Sequence, residues 1–224
     1  MMRLARSIAD NKRSNSLAAK LRRRRFALLE SMMRGLSRPI RILDVGGTEE
    51  YWRTMGFHGV AEIQVTILNL QAQDATILGF RCVEGDARQM PQFRDKEFHI
   101  AFSNSVIEHV GGLADQARMA QEVRRVARHY YVQTPNRRFP IEPHFLFPFF
   151  QALPVGTRVW LLTHMRLGWH EKSPDREEAW RVVTGVRLLT KTEMIELFPE
   201  ALLYEERFLG LVKSFVAYTP TGVP

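Results

Sequence analysis

The sequence contains very little cysteine and no long apolar run, and both absences restrict what the protein can be. Cys82 is the only cysteine among 224 residues, which excludes an intramolecular disulfide framework and a cysteine-rich zinc module. No stretch of 18 or more consecutive apolar residues occurs, so no transmembrane helix is predicted. Residues 1–16 also lack the apolar centre of a secretory signal. We therefore expect a cytoplasmic protein.

Acidic residues are scarce at the start of the chain. Residues 1–40 contain eleven Lys and Arg but only two acids, whereas the formal net charge of the whole chain is +8. All of the excess positive charge therefore lies in this first segment, and the remainder is close to neutral. Strong basicity often indicates a nucleic-acid partner, but here it describes one segment only.

We interpret residues 1–37 as a basic N-terminal helical leader. The sequence predicts a helix over 17–33, with Arg22 to Arg25 in its middle. Its apolar stripe consists of Leu17, Leu21, Leu28 and Met32. Two interpretations are open. The helix packs on the domain with a solvated basic face, or it is a surface for an anionic partner such as phospholipid or nucleic acid.

From residue 38 onward, short apolar segments alternate with helical stretches, and we treat 38–224 as one domain. Such alternation predicts right-handed βαβ units and a mostly parallel sheet with helices on both faces. The predicted strands cover 40–45, 63–70, 80–84, 98–103 and 130–133. Two further apolar runs, 201–209 and 211–218, are separated only by Gly210. They predict a terminal antiparallel hairpin, so the α/β sheet has seven strands.

Residues 136–186 interrupt this alternation and are rich in Phe, Pro, Trp and His. We expect them to form an inserted aromatic cap. Its densest apolar patch consists of Phe145, Leu146, Phe147, Phe149 and Phe150. Three interpretations are open: a helix pair that completes the core, a lid over an apolar or aromatic substrate, or a surface for peripheral membrane or partner contact.

Glycines and polar residues follow four of the predicted strands. In an open α/β sheet the carboxyl ends of the strands meet at one edge, where ligands bind. We therefore expect these residues to line one site: Asp44, Gly46, Gly47 and Thr48, then Asn69, then Asp86 and Ala87, then Ser103 and Asn104. Each one alone is a weak signal, because strand ends are commonly polar. Their order and spacing are more informative.

That order and spacing resemble the class I S-adenosylmethionine-dependent methyltransferases, in particular the small methyltransferase type 11 branch. The matching segments are ILDVGGTEEYW, VTILNL, VEGDARQMP, FSNSVIEHV and YYVQTPNRRFPIEPH. The resemblance covers about residues 38–220. It implies a Rossmann-like methyltransferase sheet, S-adenosylmethionine as the methyl donor and S-adenosylhomocysteine as the product.

The resemblance also implies a role for each strand end. Asp44, Gly46, Gly47 and Thr48 would line the methionine part of the cofactor, Asn69 the ribose, Asp86 and Ala87 the adenine, and Ser103 and Asn104 the sulfonium. The chain departs from the family in two places. Its glycine loop is shortened to Gly46-Gly47, and Asn69 replaces an acid, which removes a charge-assisted hydrogen bond. A nicotinamide cofactor fits worse, because no G-x-G-x-x-G follows the first strand.

His144, His109 and Glu142 are the candidate catalytic residues, because methyl transfer to a hydroxyl is helped by a base. His144 directly follows the fifth strand, where a substrate would approach the methyl group; a substrate-shaping role is the alternative. His109, beside Glu108, opens the segment after the fourth strand and could instead support the cofactor pocket. The sequence shows no closely spaced carboxylate or histidine ligand set, so no metal site is predicted.

We expect methyl transfer to oxygen or nitrogen of a small-molecule acceptor. The acceptor could be a metabolite, a natural-product intermediate, or a lipid- or glycan-linked group. Two alternatives stay open: an RNA methyltransferase that uses Arg22 to Arg25, and a non-catalytic protein that binds S-adenosylmethionine. The sequence leaves the oligomeric state open.

Overall fold

The computed structural model describes residues 17–57, 59, 62–71 and 74–222. A central sheet runs through this part of the chain. Its strands are β1 (Ile40–Val45), β2 (Ile63–Asn69), β3 (Phe80–Glu84), β4 (Phe98–Asn104), β5 (Ala127–Pro135), β8 (Leu202–Phe208) and β9 (Leu211–Tyr218). Two short strands, β6 (Ile141–Glu142) and β7 (Phe147–Pro148), form a separate antiparallel pair in the cap.

The seven strands are arranged in the order β3-β2-β1-β4-β5-β9-β8. The first five in this order are parallel, and β9 is antiparallel to both β5 and β8. The predicted α/β sheet with a terminal hairpin is therefore confirmed. The chain reverses its direction of winding between β1 and β4, and a ligand crevice forms at the carboxyl ends of the strands at such a point.

The helices are α1 (Leu17–Arg34), α2 (Glu49–Thr54), α3 (Leu113–Val126), α4 (Val155–His164), α5 (Arg176–Thr184) and α6 (Lys191–Leu197). Short 3₁₀ turns cover Ile107–His109 and Phe150–Ala152. β5 is longer than the predicted 130–133 because it pairs with β4 on one side and β9 on the other. Within the described ranges, no helix is both long enough and apolar enough to cross a membrane.

Helix α1 packs against one face of the sheet through Phe26, Leu29 and Met32, which are buried with the β1 residues Ile40 and Ile42. The prediction that the basic face of this helix is solvated is wrong at Arg25. Arg25 is only 8% exposed and Glu206 only 1%, and Nη1 of Arg25 lies 2.6 and 2.7 Å from the two carboxylate oxygens of Glu206. Arg22 lies over the Tyr51 ring, 5.6 Å from its centroid. Residues 1–16 of the predicted leader lie outside the described residues.

The cap has a small core of its own between α4 and α5. Phe145 and Phe150 are fully buried there and stack with ring centroids 4.2 Å apart, beside Leu162 and Val183. The aromatic patch that the sequence indicated is therefore largely interior, although Phe149 stays 65% exposed. The lid and membrane-contact interpretations stay predictions.

Replacing Arg25 by Met should destabilise the protein by about 3 kcal/mol, because Glu206 would keep a buried charge without its main partner. Arg24→Met is the matched control, since Arg24 is exposed on the same helix. Urea denaturation measures both free energies of unfolding. Equal values for the two variants would contradict a structural role for the Arg25–Glu206 pair.

Candidate active site

The loop after β1 is built around a buried carboxylate. Asp44 is completely buried, and the indole N–H of Trp52 donates to its Oδ2 over 2.7 Å. Its other oxygen, Oδ1, is buried and has no hydrogen-bond partner among the described residues. Burial raises the pKa of Asp44 to about 7, although the Trp52 hydrogen bond favours the charged form. A cationic group of a ligand would partner the ionised carboxylate.

Both glycines of this loop occupy positions with no room for a side chain. Gly46 has φ +75°, and a Cβ there would lie 2.6 Å from side-chain carbons of Val106. A Cβ on Gly47 would lie 1.8 Å from Oδ2 of Asp44. The space beside each glycine is therefore filled by the protein's own side chains, and neither position accepts a larger residue without a shift of its neighbours.

Two of the predicted cofactor residues also hold the loop in place. The side-chain amide of Asn69, at the end of β2, donates to the Gly47 carbonyl oxygen over 2.9 Å. The Thr48 hydroxyl accepts from the Tyr51 amide over 3.2 Å and caps α2. Since the amide hydrogens of Asn69 face the loop, its Oδ1 is the atom suited to accept from a ribose hydroxyl.

The predicted adenine position after β3 is occupied by an ion pair. Oδ1 of Asp86 accepts from the Arg88 amide over 2.8 Å and from Arg88 Nε over 2.9 Å. The Arg88 hydrogen bonds lower the pKa of Asp86, so its carboxylate is charged. Asp86 and Ala87 are both half-buried. An adenine amine at this position would share the carboxylate with Arg88.

The end of β4 has polar atoms that lack partners. Ser103 Oγ and Asn104 Oδ1 are buried without a hydrogen-bond partner in the described part of the chain. Together with Oδ1 of Asp44, these atoms fit a polar ligand at the carboxyl edge, because buried polar atoms are nearly always paired. The nine predicted cofactor residues stay a prediction, and they lie at the ends of β1, β2, β3 and β4.

The three candidate catalytic residues come together beside this edge. Oε1 of Glu142 lies 2.6 Å from Nδ1 of His144, and Oε2 of Glu142 accepts from the Phe145 amide over 2.6 Å. The rings of His109 and His144 meet edge to face with centroids 5.0 Å apart. His144 comes from the cap and His109 from the turn after β4, so two distant segments build one cluster.

Glu108 is a fourth member of this cluster and is completely buried. The Thr134 hydroxyl, near the end of β5, donates to its Oε2 over 3.0 Å, whereas Oε1 has no partner among the described residues. Burial raises the pKa of Glu108 to about 7. The sequence analysis named Glu108 only as the neighbour of His109 and missed Thr134, although Thr134 stands in the quoted segment YYVQTPNRRFPIEPH.

The geometry gives His144 a defined orientation. Burial opposes its charged form, but the hydrogen bond and charge of Glu142 outweigh burial and raise the pKa of His144. The pKa of His109 is lowered by burial and by the nearby His144. Because the Glu142 carboxylate accepts only when Nδ1 of His144 carries the hydrogen, Nε2 is the ring nitrogen that can accept a proton.

The cluster also brings metal-compatible donors together, which the sequence did not indicate. One donor atom each from Glu108, His109 and His144 lies within 4.8 Å of the others. Such a set could hold a divalent ion. Two other histidines lie in the cap: His170 stacks on Phe145 with centroids 4.9 Å apart, and His164 is exposed and stacks on Trp160.

The sheet order is that of a class I methyltransferase fold, and the comparison of the sequence with known families agrees. Residues 46–130 match the family model described as a methyltransferase domain, of the type 11 branch. This segment therefore carries a type 11 methyltransferase domain, whose cofactor is S-adenosylmethionine. The recognition made from the motifs is confirmed.

Solved structures share the fold at low sequence identity. The PH0226 protein from Pyrococcus horikoshii is 17% identical with a TM-score of 0.53, and the match covers 97% of each chain. The CurJ carbon methyltransferase is 13% identical with a TM-score of 0.54, covering 92% of this chain and 56% of that one. The N-terminal domain of EvdMO1, crystallised with SAH and D-fucose, is 14% identical with a TM-score of 0.50, covering 89% and 82%.

One curated relative is the uncharacterised protein Rv1509 of Mycobacterium tuberculosis. It is 33% identical over 92 residues, which cover 41% of this chain and 30% of Rv1509. The chain therefore matches less than a third of that relative's length, and the relative assigns no substrate.

Gly47→Ala should destabilise the protein by about 1–3 kcal/mol and weaken binding of S-adenosylhomocysteine. The added methyl group would collide with the Asp44 carboxylate and force the loop to move. Gly156→Ala is the control, because Gly156 lies in α4 with open space around it. Thermal unfolding and calorimetry measure the two effects; unchanged affinity in Gly47→Ala would contradict the position of the loop in the cofactor site.

The stability of the ligand-free protein should fall as pH rises from about 4 to 7 because of Asp44. Its folded pKa of about 7 is above its ordinary value of 3.8, so its contribution is complete at low pH and is lost as the carboxyl ionises. Relative to Asp44→Asn, the wild-type free energy of unfolding should drop by on the order of 4 kcal/mol across this range.

Denaturation curves of both proteins at several pH values measure this difference. Asp74→Asn, at an exposed position, should follow the wild-type curve. A difference between wild type and Asp44→Asn that does not change with pH would show that Asp44 is ionised throughout.

Proposed function

We propose that this protein transfers the methyl group of S-adenosylmethionine to an oxygen or nitrogen atom of a small-molecule acceptor, with His144 as the base. The observation that carries the proposal is the Glu142–His144 hydrogen bond of 2.6 Å at the carboxyl edge of the sheet. It leaves Nε2 of His144 free to take a proton, and the His144 side chain is 20% exposed. A half-buried base that solvent can reach suits proton removal from an acceptor.

The cofactor, when bound, supplies an electrophilic methyl group and a good leaving group. The chain's own residues then have two tasks: to hold the acceptor in line with the methyl group and to receive its proton. During transfer of the methyl group from sulfur to the acceptor, Nε2 of His144 would receive the acceptor's proton. The Glu142 carboxylate stabilises the resulting imidazolium through Nδ1–H.

A direct contact links the cofactor loop to this base. Val106 lies against Gly46 so closely that a Cβ on the glycine would overlap it. Val106 immediately precedes the turn Ile107–His109, which carries Glu108 and His109. This contact between the glycine loop and the segment that leads into Glu108 and His109 supports a methyl transfer between them.

A small molecule is favoured over RNA as the acceptor because of the arginines of α1. The RNA alternative uses Arg22 to Arg25 to grip the backbone. Arg25 is instead paired with Glu206, and Arg22 is half-buried over Tyr51. Arg23 and Arg24 are the two members of this run that are exposed.

His144→Gln should lower methyl transfer by about 100-fold or more without changing affinity for S-adenosylhomocysteine, because the side chain acts on the acceptor. Transfer of labelled methyl groups from S-adenosylmethionine into a metabolite mixture measures the first effect, and calorimetry the second. His164→Gln is the control, since His164 is exposed elsewhere in the cap. Full activity of His144→Gln would contradict the proposal, and so would complete loss of wild-type activity on chelation with EDTA.

A further inference from the structure

A cavity of about 460 Å³ lies beside Glu142, on the cap side of the candidate active site. Arg137 and Arg138, which directly follow β5, line it together with Glu142. Most of the remaining wall is apolar and aromatic: Phe139, Phe149, Phe150, Ala152 and Leu188. We call this space the arginine cavity.

Arg137 and Arg138 are both exposed, so an anion can reach them from solvent. Among the described residues, neither Arg137 nor Arg138 forms an ion pair. Hydrogen bonds hold their backbone. The Arg137 amide donates to the Leu189 carbonyl oxygen over 3.0 Å, and the Arg138 amide donates to Asn136 Oδ1 over 3.0 Å. Glu142 is the one acid in the lining, and its two oxygens already accept from His144 and the Phe145 amide.

A third arginine, Arg158, contacts the cavity-lining residues Phe150 and Gln151. The Arg158 guanidinium lies 5.9 Å from the centroid of Phe150, and its Nη1 donates to Gln151 Oε1 over 3.3 Å. Arg158 Nε and Gln151 Nε2 are buried donors without a partner in the described part of the chain. Burial and the charge of Arg137 lower the pKa of Arg158, and the charge of Glu142 partly offsets them, so the Arg137 and Arg158 guanidinium groups lie near each other.

We propose that the arginine cavity binds an oxyanion, a carboxylate or a phosphate, carried by the methyl acceptor. The proposal rests on the function proposed above, because it assigns a substrate class to that site. Guanidinium groups bind both anions through paired, charge-assisted hydrogen bonds, and the phenylalanines suit an apolar or aromatic body next to the anion. Glu142 both lines the cavity and bonds to Nδ1 of His144, so the proposed anion site and the imidazole are neighbours.

Equilibrium binding to the full chain tests this with simple probes. Phenyl phosphate and benzoate carry the two oxyanions on an aromatic ring, and phenol is the neutral control. With S-adenosylhomocysteine present, we expect at least one of the two anions to bind more than about tenfold more tightly than phenol. The tighter of the two identifies the oxyanion that the cavity prefers.

Variants then locate the binding. The double variant Arg137→Gln/Arg138→Gln should bind the preferred anion about tenfold or more weakly than the wild-type protein. The matched control is Arg176→Gln/Arg181→Gln, which removes the same charge from exposed positions on α5 and should change affinity by less than about twofold. Equal loss in both double variants would overturn the proposal, as would anions that bind no better than phenol.

These measurements do not depend on turnover, so the two proposals fail separately. Anion binding that requires Arg137 and Arg138 supports the arginine cavity even if His144→Gln keeps full activity. If His144→Gln loses turnover but the wild-type protein binds neither anion, His144 keeps its proposed role as the base and the proposed substrate class is wrong.

Discussion

The hydrogen bond from Trp52 to the buried carboxylate of Asp44 determines the shape of the loop on which the candidate site depends. The carboxylate occupies the space that a side chain on Gly47 would need, so this position of the loop accepts only glycine unless the loop moves. Trp52 is itself fixed by surrounding aromatic rings. Phe26 of α1 and Phe102 of β4 lie 5.7 and 5.6 Å from it, centroid to centroid. Packing of the leader helix is thereby connected to the geometry of the glycine loop.

The cap completes the site from the other side. Its short β6–β7 pair brings Glu142 and His144 against Glu108 and His109, which come from the turn after β4. Burying the carboxylates of Glu108 and Glu142 is costly unless each finds partners; His144 beside them is half-buried and His109 exposed. Thr134, the Phe145 amide and the Glu142–His144 hydrogen bond supply several of them, but Oε1 of Glu108 still lacks one. Most polar atoms of the cluster that are named here have a partner within the protein, and Oε1 of Glu108 is left to accept from a ligand.

The sequence predicts the sheet well because each strand is a short apolar run bounded by glycine or polar residues. The terminal hairpin follows from one glycine, Gly210, between two apolar runs. The sequence also places the candidate cofactor residues at the strand ends, since in parallel sheets the position along the chain determines which edge a residue reaches; their binding role stays a prediction. His109, Glu142 and His144 were chosen separately from the residues, and the fold brings them into contact.

The sequence could not predict contacts between side chains that are far apart along the chain. Arg25 and Glu206 are separated by 181 positions, and no periodic pattern connects them, so Arg25 was grouped with its solvated neighbours. The metal-compatible arrangement of Glu108, His109 and His144 was missed for the same reason. The arginine cavity also depends on how the cap folds over residues that follow β5, which local sequence does not encode.

A calorimetric titration of the purified protein with S-adenosylhomocysteine, with NADH as the control ligand, tests the account most directly. The loop around Asp44, Gly46 and Gly47 and the polar ends of β2 and β4 should bind S-adenosylhomocysteine in the micromolar range, equivalent to roughly 8 kcal/mol, and should not bind NADH. Binding of NADH alone, or of neither ligand, would contradict the assignment of this crevice to the methyl donor.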